Sequence, residues 1–80
     1  MIEKDIIYKV SIDEYLYTLS NNFTEAYFHT IENAITFLVH SYIKDFDIYN
    51  EEEIIKINKQ ATNEHRINDY GWIEVIELED

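Results

Sequence analysis

Hydrophobic and polar residues alternate near the start of the chain. The apolar positions are Ile6, Tyr8, Val10 and Ile12. The positions between them are Ile7, Lys9, Ser11 and Asp13. A period of two is that of a β-strand, so the pattern predicts a half-buried strand here.

Two further β-prone segments, residues 15–20 and 23–28, are separated by Asn21 and Asn22. Asn tolerates positive φ, which favours a two-residue hairpin turn. Its register pairs Leu19 with Thr24, Tyr17 with Ala26 and Tyr15 with Phe28. We expect these six to form one mostly apolar face towards the core. The opposite face carries Leu16, Thr18, Ser20, Phe23, Glu25, Tyr27 and His29.

A long amphipathic helix is predicted after Thr30, a suitable N-cap that is followed by Glu32 in the first turn. The apolar stripe with helical spacing consists of Ile31, Ala34, Ile35, Leu38, Val39, Tyr42, Ile43 and Phe46. Lys44 falls in the last turn. The residues expected to face outward are Glu32, Asn33, Thr36, Phe37, His40 and Ser41.

The segment after this helix allows two interpretations. Asn50 and the three glutamates that follow it, Glu51 to Glu53, resemble a capping box with an acidic first turn. Ile54, Ile57 and Ala61 would then be the buried stripe of a short helix. Alternation at Ile55 and Ile57 also fits a strand; we favour the helix.

The last part of the chain is predicted to be a loop and then a strand. Residues 62–70 are polar and are predicted to form the loop, and Gly71, the only glycine, should mark a turn or bulge. In the strand over residues 72–78, Ile73 and Val75 define one face. The other face consists of Trp72, Glu74, Ile76 and Leu78.

Together these elements predict one α+β domain over residues 1–80. We expect an antiparallel sheet of three to four strands with the long helix packed on one face, and room for a short second helix.

The composition excludes or disfavours several classes of function. The 80 residues are 46% hydrophobic, carry a net charge of -11 and include no cysteine, which excludes disulfides and thiolate metal sites. The charge disfavours binding to nucleic acids and anionic membranes. No apolar run approaches the roughly 20 residues that span a bilayer, and residues 1–5 do not resemble a signal peptide. We therefore expect a cytoplasmic protein.

Metal binding and catalysis find little support in the sequence. Asp45, Asp47, Tyr49 and Asn50 resemble the start of an EF-hand loop, but the loop glycine is missing and Lys56 replaces the bidentate glutamate. His29 with Glu32, and His65 with Glu64 and Asp69, have no evident third ligand. One glycine allows no Gly-rich phosphate loop. We expect no cofactor and no enzymatic activity.

The negative charge is concentrated in the second half of the chain. Residues 1–44 hold six acids and three basic residues, a balance of -3, whereas residues 45–80 hold eleven and three, a balance of -8. Glu77 and Glu79 lie two strand residues apart, about 6.6 Å, which is comparable with phosphate spacing. Solubility and helix capping explain the acids equally well.

Aromatic residues accompany these acids, and Tyr and Trp are preferred interface anchors. Tyr27, Tyr49, Tyr70 and Trp72 have no clear core position. The candidate partner-binding residues are Asp45, Asp47, Tyr49, Glu51, Glu52, Glu53, Asp69, Tyr70, Trp72, Glu74 and Glu77. Their expected partner is a basic surface of a host protein, such as a nuclease that binds nucleic acid.

In size, charge and the order hairpin, helix, acidic segment, the chain resembles small acidic phage-encoded inhibitors, above all anti-CRISPR proteins that act as DNA mimics. The resemblance implies a non-catalytic inhibitor of a Cas effector. Phage inhibitors of uracil-DNA glycosylase are similar in size and acidity, but their Glu-Ser-Ile-Leu edge strand is missing. An immunity protein or antitoxin that neutralises a basic toxin is the alternative, and a small scaffold protein is a third class.

Overall fold

The described part of the chain forms an antiparallel sheet with two helices on one face. The structure is a computed structural model that describes residues 5–13 and 23–78. Its elements are β1 (Asp5–Asp13), β2 (Phe23–Phe28), α1 (Ile31–Asp45), α2 (Glu51–Glu64), β3 (Arg66–Asn68) and β4 (Gly71–Leu78). The strand order is β2-β1-β4-β3 and every neighbouring pair is antiparallel. This confirms the predicted α+β class, including the second helix.

The predicted first strand is confirmed as β1, which lies between β2 and β4 in the sheet. Val10 pairs with Ala26 on one side and with Ile73 on the other. Val10 and Ile12 are fully buried beneath the helices. The alternating pattern therefore predicts which face of β1 contacts the core.

Strand β2 has the predicted orientation. Thr24, Ala26 and Phe28 are half-buried on the helix side, whereas Phe23, Glu25 and Tyr27 are exposed. Its partner among the described strands is β1, with Phe28 opposite Tyr8. The first half of the predicted hairpin, residues 15–20, and its Asn21–Asn22 turn lie outside the described residues.

Helix α1 begins and ends where the sequence predicts. The Thr30 side chain accepts a hydrogen bond of 3.3 Å from the backbone N–H of Asn33, and Phe46 is the C-cap. The stripe is confirmed as the centre of the core: Ala34, Leu38, Val39, Tyr42 and Phe46 are buried. Ile31, Ile35 and Ile43 are half-buried and pack against it.

Phe37 corrects one expectation about α1, because it does not face solvent. It is half-buried, and its ring lies 5.1 Å from that of Phe28, centroid to centroid, at 46°. The aromatic side chain is long enough to reach β2 from the edge of the helical stripe. Ser41, also expected to face outward, is half-buried as well.

Helix α2 confirms the helical interpretation of residues 51–61 over the strand. The Asn50 side-chain oxygen accepts hydrogen bonds from the N–H groups of Glu52 (2.9 Å) and Glu53 (3.3 Å). Ile57 and Ala61 are buried. The capping residue and the apolar stripe can both be recognised in the sequence, and together they favour a helix over a strand.

The loop predicted over residues 62–70 is wrong at two places. Helix α2 continues to Glu64 and ends where His65 takes a left-handed conformation, φ 56°, with its N–H bonded to the Ala61 carbonyl at 2.9 Å. Strand β3 follows, and its single apolar residue, Ile67, is only 4% exposed. A three-residue strand with one apolar side chain is too short to show the two-residue alternation from which strands are predicted.

Gly71 begins β4 directly after the turn at Asp69 and Tyr70, as expected, and its main role is close packing. A Cβ atom at this position would lie 3.1 Å from Cδ1 of Leu38 and 3.7 Å from Cδ2 of Tyr42. Ordinary carbon contacts are about 3.5–4.0 Å. The absent side chain thus lets α1 approach the sheet closely.

Replacing Leu38 should test the core most directly. Leu38 is fully buried, so Leu38→Ala should lower the free energy of unfolding by about 2–5 kcal/mol. Ile55→Ala, at an exposed position of α2, is the control and should lower it by much less. Denaturant melts of both variants measure this, and equal losses would contradict the packing described.

Gly71→Ala should lower the free energy of unfolding by about 1 kcal/mol, because the new methyl group crowds Leu38. In the Leu38→Ala background the same change should cost nothing, since the methyl group then fills part of the cavity. A double-mutant cycle measures the coupling, which should exceed about 0.5 kcal/mol for residues in contact. Strict additivity would show that the two positions do not touch.

Candidate partner-binding surface

The predicted partner-binding residues belong to three parts of the chain. Six form what we call the cap surface, at the end of α1, the linker and the first turn of α2: Asp45, Asp47, Tyr49, Glu51, Glu52 and Glu53. Asp69 and Tyr70 form the turn between β3 and β4. Trp72, Glu74 and Glu77 lie along β4. The predicted residues are therefore carried by several elements, and the Tyr70–Phe46 ring contact places the turn at Asp69 and Tyr70 next to the end of α1.

The cap surface is built by the turn between the two helices. Asp47 has a left-handed φ of 57°, which Asp tolerates better than most residues and which reverses the chain after α1. Asn50 then caps α2, so that three consecutive glutamates occupy its first turn. All three glutamates are exposed, and no ion pair involves them within the described residues. Tyr49 beside them is 70% exposed.

Consecutive helical residues point about 100° apart, so the three glutamates fan out around α2. Glu53 and Lys56 line a groove of about 160 Å³ between α2, α1 and β3. Tyr42, Ile57 and Asn68 also line this groove, and the Asn68 side-chain amide donates a hydrogen bond to the Tyr42 hydroxyl. Glu51 and Glu52 are exposed to solvent and do not line this groove.

The turn between β3 and β4 is bound to the core more firmly than the sequence suggests. The ring of Tyr70 lies 6.4 Å from that of Phe46, centroid to centroid, and packs against the buried cluster. The Tyr70 carbonyl accepts a hydrogen bond of 2.7 Å from the Asp13 N–H. Asp69 lies 3.6 Å from Arg66. Tyr70 thus serves the fold, and Asp69 is partly neutralised.

The outer sheet face, the side of β1, β2 and β4 opposite the helices, carries aromatic rings next to carboxylates. The Trp72 indole Nε1–H donates to Oε1 of Glu74 at 3.0 Å, and the Tyr27 hydroxyl donates to Oε2 of Glu25 at 3.3 Å. Trp72 is half-buried, and Tyr27 is 58% exposed. One aromatic–carboxylate pair therefore lies on each side of β1.

Lys9 lies between these pairs and changes the charge of the outer sheet face. Its Nζ is 3.2 Å from Oε2 of Glu25, and on the other side Lys9 is opposite Glu74. The hydrogen bond to Glu25 raises the pKa of Lys9 above its usual value; electrostatic interactions with Glu25, Tyr27 and Glu74 act in the same direction, whereas desolvation opposes them. Lys9 thus stays charged at neutral pH and compensates one carboxylate.

The sequence alone does not predict the Lys9–Glu25–Tyr27 group. It depends on the pairing of β1 with β2, which brings together residues sixteen to eighteen positions apart. Glu77 differs from Glu74 because it is opposite Ile6 and points to the helix side of the sheet. Alternation along β4 is the signal that separates the two.

The cap surface remains the most concentrated exposed negative charge of the described chain. Among residues 5–13 and 23–78, no three His, Asp or Glu side chains are placed to hold a metal ion. No helix in that part of the chain is long and apolar enough to cross a bilayer. Comparisons with protein-family models, curated proteins and solved structures give no match to this chain.

Metal removal should leave the stability unchanged. Asp47 is exposed in the turn after α1, and His65 serves as the C-cap of α2. EDTA should therefore not shift the melting temperature in buffer that contains calcium or zinc. A decrease of several degrees in differential scanning fluorimetry, reversed by one of the two ions, would reveal a metal site.

Proposed function

We propose that this chain is a non-catalytic inhibitor that binds a basic, nucleic-acid-binding surface of a host protein and excludes the nucleic acid. The observation that carries the proposal is the cap surface. Three exposed glutamates, which form no ion pair with any residue that the structure describes, lie next to Tyr49, which is 70% exposed. Acidic side chains with an adjacent ring match a basic groove that receives phosphates and bases.

The position of these glutamates at a helix N-terminus has two effects. The helix dipole stabilises them, so they can be kept at high density without unfolding α2. The same rigid helix presents them in a fixed arrangement, which lowers the entropy lost on binding. Helix capping and target binding are therefore compatible uses of the same residues.

The outer sheet face forms a second, weaker contact with the proposed partner protein. Its aromatic–carboxylate pairs, Trp72 with Glu74 and Tyr27 with Glu25, offer a ring and an anionic group to a guanidinium. Because the sheet separates this face from the cap surface, one flat partner cannot cover both. A partner with a cleft, or two successive contacts, is required.

The target class that we propose is a nuclease effector of host defence, with the protein acting in the cytoplasm as a phage anti-CRISPR protein does. The support is chemical: charge, exposed aromatic groups and a small rigid fold. An immunity protein against a basic toxin nuclease would use the same surface. Binding to a Cas effector, rather than to a nuclease toxin, distinguishes the two.

Charge reversal of the cap surface should slow association with the target. The triple variant Glu51→Lys, Glu52→Lys, Glu53→Lys should reduce the association rate constant by about tenfold or more at low salt, because electrostatic steering is lost. Biolayer interferometry with purified Cas effectors measures this, and the effect should shrink as salt rises.

The matched control is the triple variant Asp5→Lys, Glu32→Lys, Glu64→Lys. It changes the net charge equally, but its exposed sites lie away from the cap surface. Equal slowing in both triples would show that net charge alone steers binding. A second assay preloads the effector with guide and DNA: undiminished binding to the loaded complex would rule out mimicry.

A further inference from the structure

We propose that the solvent-facing side of α2 is a self-association surface. A second copy of this chain packs on it, antiparallel, about a two-fold axis at Ile55. This inference goes beyond the proposed function and concerns the isolated protein.

The apolar centre of the surface is Ile55, which is 61% exposed on a helix whose other isoleucines are buried or half-buried. Around it lies a shallow depression along one side of α2, whose lining residues are Ile55, Asn58, Lys59, Thr62 and Asn63. Spacings of three and four residues place them on one helical face. This face therefore has one large apolar side chain among polar ones.

The charges on this face are self-complementary. Glu51, Ile55 and Lys59 follow one another at intervals of four residues, so they lie along the same side of α2, and all three are exposed. In an antiparallel pair about Ile55, residues equally far before and after it lie opposite each other. Glu51 of each copy then faces Lys59 of the other, and the two Ile55 side chains meet.

The two-fold geometry makes the Glu51–Lys59 contact occur twice, on either side of the Ile55 contact on the axis. Glu51 and Lys59 each lie about 6 Å along the helix from Ile55, so two ion pairs flank the apolar contact. The antiparallel arrangement also places the N-terminus of each helix near the C-terminus of the other, which is favourable for the helix dipoles. A parallel pair would instead place like charges together.

The resulting dimer is weak. A 14-residue helix is about 21 Å long, and contact along one side buries less than the roughly 1,200 Å² of a stable interface. The net charge of -11 on each copy also opposes association. We expect a dissociation constant on the order of 100 μM, or about -5.5 kcal/mol.

Charge swapping tests the proposed pairing. Sedimentation equilibrium of the isolated protein in 150 mM salt should show that Glu51→Lys and Lys59→Glu each weaken the dimer by about tenfold or more, since each creates two like-charge contacts. Combining both changes in one chain should restore the affinity. Mixing the two single variants should give a heterodimer, because one then presents two lysines and the other two glutamates.

The matched controls are Glu53→Lys and Lys56→Glu, which make the same charge changes on the groove side of α2. They should leave self-association within about threefold of the original, because their sites lie off the contact. Ile55→Glu should abolish it while the circular dichroism spectrum stays unchanged. A monomer at millimolar concentration, or equal effects of control and test variants, would overturn the proposal. No target is present in these measurements, so their failure leaves the proposed function standing.

Discussion

The close contact between α1 and β4 at Gly71 is the constraint on which the rest of this structure depends. Leu38 and Tyr42 lie over the position where any other residue would have a side chain. This approach aligns the Tyr42 hydroxyl with Asn68 on β3 and the Phe46 ring with Tyr70. Helix α2 then packs beside α1 through Ile57 and Ala61. The first turn of α2, which carries the exposed glutamates, is thereby held in place.

The sequence predicts the elements whose signals are local. Thr30 and Asn50 are caps that act within three residues, and the stripe of α1 repeats for four turns, so both helices could be recognised. The pairing of β2 with β1 and the strand at Ile67 could not, because they depend on contacts between distant segments. Phe37 shows a similar limit: its contact with Phe28 arises from side-chain length at the edge of the stripe.

The same distinction applies to the candidate site. The glutamates of the cap surface are consecutive in the sequence, so their density could be predicted. The division of Glu74 and Glu77 between the two faces of the sheet follows from strand alternation. The neutralising role of Lys9 could not be foreseen, since it requires the register between β1 and β2. The packing of Tyr70 against Phe46 could not be predicted either, because it joins residues that are distant in the sequence.

The central position of β1 has a consequence for how the chain reaches this structure. Its partner β4 is the last described strand, and the ladder pairs Asp5 with Leu78, so the loop closed by this pairing runs from the first described residue to the last. Closing a long loop costs entropy before the contacts compensate for it, which makes folding slower than in a protein of local contacts. Until β4 pairs with β1, the backbone hydrogen-bonding groups along one edge of β1 lack a strand partner. The hydrogen bonds within each helix are local and do not depend on this closure, whereas the pairing of β1 with β4 does.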